Sequence, residues 1–115
     1  MKVLKLKQII EKTLDQNKAK KIIVINLKGK TSIADYMIIA SGSSSKHIQS
    51  LSEILLKKLV QNGMIGCKIE GKTSNDWKLI DAIDLIVHIF HPEKRKFYDL
   101  EKMWCDPTND KEIII

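Results

Sequence analysis

A chain of 115 residues suits one domain, and 43% hydrophobic residues supply a single core without disulfide staples. The two cysteines, Cys67 and Cys105, form no CxxC pair, which fits a reducing compartment and gives no zinc signature; no apolar run nears the ~20 residues that cross a bilayer. The formal charge of +6 suits an anionic neighbour such as RNA, while a composition crowded with Lys, Ile and Asn also makes lysine the default surface residue.

Lysines interrupt the N-terminal MKVLKLKQII too often for a signal-peptide core, so the chain reads as cytoplasmic. Val3, Leu6, Ile10 and Leu14 recur at helical spacing and predict an amphipathic first helix that ends near Asp15-Gln16-Asn17-Lys18. Ile22 to Leu27 is a nearly unbroken β-branched run, the mark of a strand covered on both faces. A turn at Gly29-Lys30 leads to a second buried strand, Tyr36 to Ala40, expected to lie beside the first. A serine near the end of Ser41-Gly42-Ser43-Ser44-Ser45 should cap a second helix, whose face is Ile48, Leu51, Leu55 and Leu59 and whose stop is Asn62-Gly63. Ile65 to Glu70, Trp77 to Asp81 and Leu85 to Phe90 read as three further strands, and Pro92 suits the first turn of a closing helix. The order implies one α/β layered domain over residues 1–105 with a mixed sheet of about five strands. Residues 106–115 are a charged tail whose terminal isoleucines find no evident partner.

Chemistry-bearing residues are few. The serine-rich turn could meet an anion through helix N-terminal amides, or it could be a cap alone, since it lacks both GxxxxGK[ST] and GxGxxG. Asp81 and Asp84 are three apart. Two-metal nucleotidyl transfer favours Asp-x-Asp, which puts both carboxylates on one strand face; across a turn these acids instead bracket it and accept backbone hydrogen bonds. His88 shares a strand face with Ile86 and Phe90 and reads as a hydrogen-bonded core or edge residue, and no HxxxH or HExxH spacing indicates a metal. Phe97, Leu100 and Trp104 should face the sheet from the last helix, with Tyr98 nearer solvent. Trp77 starts a strand straight after a polar loop, where full burial is awkward. Exposed Trp and Tyr on a rigid frame suit a protein–protein contact, and equally the edge of a core.

Three ordered motifs carry a family resemblance: SIADYMIIASGSSSKHIQSLSE (Ser32 to Glu53), IEGKTSNDWKLID (Ile69 to Asp81) and DLIVHIFHPEKRKFYDLEKMW (Asp84 to Trp104). Together they resemble the ribosomal silencing factor, or Iojap-related, family. The resemblance implies a sheet with a nucleotidyltransferase-like outline but no active site, no cofactor and no metal. It implies binding to the large ribosomal subunit through ribosomal protein L fourteen, with rRNA nearby, a steric block to the small subunit and lowered translation when nutrients are scarce. Large-subunit assembly is the alternative role, a nucleotidyltransferase-type enzyme a more distant one, and a homodimer the expected free form. The implied contact residues are Trp77, Ile80, Asp81, Ala82, Arg95 and Tyr98. One departure stands out: where the family has an apolar or aromatic residue followed by glycine, this chain has Ala82-Ile83. Alanine offers less contact area, and isoleucine resists positive φ, so either the turn differs or the glycine is not needed for its dihedral.

Overall fold

Helical spacing in the first sixteen residues becomes α1 (Val3–Gln16), with Leu6, Ile10 and Leu14 on its buried side. The computed structural model describes residues 3–29, 32, 34–71, 76–93 and the backbone of 111–114. After α1 come β1 (Lys20–Asn26), β2 (Tyr36–Ser41), α2 (Ser45–Gln61), β3 (Lys68–Glu70), β4 (Trp77–Asp81), β5 (Leu85–Phe90) and β6 (Lys111–Ile114). Pro92 and Glu93 take up helical backbone where description of that region stops. Phe97, Leu100 and Trp104, expected to face the sheet, lie outside the described residues.

The strands form one mixed sheet in the order β3-β4-β5-β2-β1-β6. β2 and β5 run parallel at its centre, and the neighbouring pairs are antiparallel. The five expected strands are all present. The sixth comes from the tail: Ile113 and Ile114 pair with Ile23 and Ile22 along the outer edge of β1. β3 starts three residues later than the apolar run suggested. Gly66 at φ +86° breaks that run and leaves Ile65 86% exposed.

Alternation along the strands divides the core in two. Ile22, Val24, Ile38, Ala40, Ile80, Ala82, Leu85, Val87 and Ile89 pack with the apolar stripes of α1 and α2. Ile23, Ile25, Met37, Ile39 and Phe90 form a second cluster on the opposite face, with Trp77 and Ile86 packed against it. The β-branched run of β1 is thus buried on both faces, as its composition indicates.

Local chemistry sets the helix ends. Ser44 is extended at φ −154° and its hydroxyl accepts from the His47 amide, which caps α2. At the other end, Gly63 sits at φ +88°, its amide donates to Val60 and the Met64 amide donates to Leu59, a Schellman closure.

Candidate functional site

β4 has two unlike faces. Lys78, Ile80 and Ala82 point toward the helices, while Trp77, Leu79 and Asp81 are half-buried on the other side. On β5, Phe90, His88 and Ile86 stand opposite Trp77, Leu79 and Asp81 in register. This strip of six side chains is the candidate site.

Trp77 is held on three sides. Its indole Nε1–H donates to His88 Nδ1 at 3.3 Å. Its ring stacks obliquely on Phe90, with centroids 6.4 Å apart and planes at 28°. His88 and Phe90 stack nearly parallel, at 2° with centroids 5.5 Å apart, beside the indole. The third support is Gly71 at φ +76°, where a Cβ would meet the Trp77 carbonyl oxygen at 2.7 Å and the ring at 2.8 Å. Only glycine fits that close approach. The buried Lys78 reinforces it from beneath, its Nζ donating to the Gly71 carbonyl at 2.6 Å.

The electrostatics follow from burial. His88 is 8% exposed, and desolvation pulls its pKa down from 6.5 to about 4. The ring is therefore neutral at pH 7, and its Nδ1 faces the indole N–H. At the far end of the strip, burial and then the nearby Asp81 carboxylate push the Cys67 thiol up.

The expected contact residues separate under this geometry. Trp77 and Asp81 share the half-buried side of β4. Ile80 and Ala82 are each 0% exposed and belong to the helix-side core, so neither side chain presents a contact surface. The cause is strand alternation: the apolar residue that shares a face with Trp77 is Leu79, not Ile80. Arg95 and Tyr98 lie outside the described residues.

The turn that joins β4 to β5 corrects a further expectation. Ile83 does adopt positive φ, at +72°. Asp84 N–H donates to Ala82 O at 2.9 Å, closing a γ-turn on Ile83, and Ala82 N–H donates to Leu85 O at 2.9 Å. Asp81 Oδ1 accepts from the Ile83 amide at 3.0 Å, the bracketing role expected of this acid. The Ile83 side chain is 55% exposed. At the serine-rich turn three amides are used internally: Gly42 N–H goes to Phe90 O, Ser43 N–H to His47 Nδ1 and His47 N–H to Ser44 Oγ.

The fold and site together define an α/β domain with a braced, half-buried tryptophan on one strand face. The family described as "Ribosomal silencing factor during starvation" matches residues 1–114, and the chain belongs to it. A ribosomal silencing factor of Zymomonas mobilis is 44% identical over 97 residues, 84% of this chain and 73% of that one. The mouse protein named "Mitochondrial assembly of ribosomal large subunit protein 1" is 34% identical over 87% of this chain and 45% of its own length. A crystal structure of a Chromobacterium violaceum protein superposes with a TM-score of 0.87 at 29% identity, covering all of this chain and 94% of that one.

Proposed function

We propose that this chain binds the large ribosomal subunit through ribosomal protein L fourteen and keeps the small subunit from joining, lowering translation when nutrients are limiting. The observation that carries the reading is the braced, half-buried Trp77 with Leu79 and Asp81 beside it, in a chain of the silencing family. An indole fixed on a sheet is the kind of anchor around which protein interfaces concentrate their binding energy. A standard interface buries roughly 800 Å² per partner. The mechanism asks for no catalytic residue. It asks for a tight anchor and a body large enough to collide with the incoming subunit, and the domain extends 35 Å along its longest axis.

Charge supports an RNA-rich setting. Lys20 pairs with Ser41, Ser41 with Phe90 and Phe90 with Trp77, so Lys20 and Trp77 lie in one row, three strands apart. At strand spacing that is roughly 14 Å. Lys18, Lys20 and Lys21 are exposed at this end of the sheet, where they can approach rRNA flanking the protein partner. The reading places the protein in the cytoplasm and includes a homodimer in the free state, to be checked by light scattering.

The test is binding of the purified chain to isolated L fourteen and to large subunits. Trp77→Ala should weaken both by a factor of about thirty or more, since truncating an interface anchor removes about 2 kcal/mol or more. Unchanged affinity would remove Trp77 from the interface. The name of the mouse relative favours a second reading, assembly of the large subunit. A preference for immature over finished large subunits in the same assay would select it.

A further inference from the structure

We propose that His88 is a positioning residue for Trp77: its unprotonated Nδ1 fixes the indole in the orientation a partner meets. The inference rests on Trp77 being the anchor, as set out above, and adds the group that holds it.

Three observations converge. First, the indole Nε1–H donates to His88 Nδ1 at 3.3 Å, although the residues sit on different strands and are diagonal rather than directly paired. Second, Gly71 bounds the benzo edge, with a virtual Cβ 2.8 Å from Cε3 and 3.1 Å from Cζ3 of the ring. The indole is thus confined at its five-membered edge by a hydrogen bond and at its six-membered edge by backbone. Third, His88 stacks on Phe90 at an interplanar angle of 2°, which holds the imidazole itself. Burial keeps that imidazole neutral at pH 7, so the acceptor lone pair persists. An indole ordered before binding loses less side-chain freedom on docking, and pre-ordering of this kind raises affinity.

Two substitutions separate hydrogen bonding from packing. His88→Phe keeps a ring against Phe90 and removes the acceptor. His88→Asn removes the ring but sets Oδ1 where Nδ1 stood. The readouts are large-subunit affinity and the indole N–H resonance of Trp77, recorded in a Trp104→Phe background so that one indole signal remains. We expect His88→Phe to shift that resonance, speed its solvent exchange and weaken binding about five- to tenfold. His88→Asn should restore much of both, even where its melting temperature falls further. The tautomer of His88 in the unsubstituted protein, read from its ring nitrogens by NMR, needs no variant and should be Nε2–H. A protonated Nδ1 at neutral pH would overturn the proposal, as would unchanged affinity in His88→Phe or a binding loss in His88→Asn that exceeds that of His88→Phe. If Trp77→Ala leaves binding intact, the functional reading fails, while the tautomer and the indole resonance still decide whether His88 holds the ring.

Discussion

Burial shifts the protonation equilibrium of His88, and Ile83 holds a backbone conformation that its residue type disfavours; each is measurable. Burial lowers the His88 pKa to about 4 from 6.5, so the folded chain resists a proton that the unfolded chain accepts. Its stabilising contribution is complete above pH 6.5 and is lost as pH falls from 6.5 to 4, because there the unfolded state binds more protons. The full span corresponds to about 3 kcal/mol. Chemical denaturation at pH 7.5 and pH 4.5 should show a drop of that order, and His88→Phe should flatten it. An equal drop in the variant would assign the acid sensitivity elsewhere. Ile83 sits at φ +72°, a region that costs a non-glycine residue about 1–2 kcal/mol. The turn's amides are nonetheless paired, and the exposed side chain gives up little burial on removal. Ile83→Gly should therefore raise stability by about 0.5–1 kcal/mol after the added entropy of the unfolded glycine is subtracted. Destabilisation would mean that the isoleucine side chain contributes packing larger than its strain.

The β4–β5 hairpin and the glycine before it act as one unit. Gly71→Ala brings a Cβ to 2.7 Å from the Trp77 carbonyl oxygen at a positive-φ site. It should destabilise the fold by about 2 kcal/mol and alter Trp77 fluorescence, whereas a surface substitution leaves both nearly unchanged. Most of the strand and helix pattern was legible beforehand, because buried β-branched runs, a serine cap and a C-terminal glycine each have a direct physical reading. The face of β4 was legible too. Alternation from Trp77 leads to Leu79 and Asp81; the contacts implied by the family resemblance included Asp81 but put Ile80 and Ala82 where alternation puts Leu79. What alternation does not reveal is partnership between strands. The Trp77–His88 bond depends on the β4–β5 register, and that register is set by a turn whose isoleucine departs from ordinary turn chemistry. Likewise, three terminal isoleucines in a charged tail say little about β6 until the open edge of β1 is known to need a partner.

The proposed occlusion joins a small braced patch to a much larger body. In this proposal affinity comes from the Trp77 strip, inhibition from the bulk behind it, and the net charge of +6 speeds encounter with an RNA-rich particle. These contributions are separable: added salt should slow association and leave the Trp77 dependence in place. The most direct measurement mixes separated small and large subunits with saturating protein and resolves the products by gradient sedimentation. Wild-type protein should travel with free large subunits and reduce the joined-ribosome peak, and Trp77→Ala at the same concentration should restore that peak. A joined peak of undiminished size, with wild-type protein bound to the large subunit throughout, would contradict the steric block.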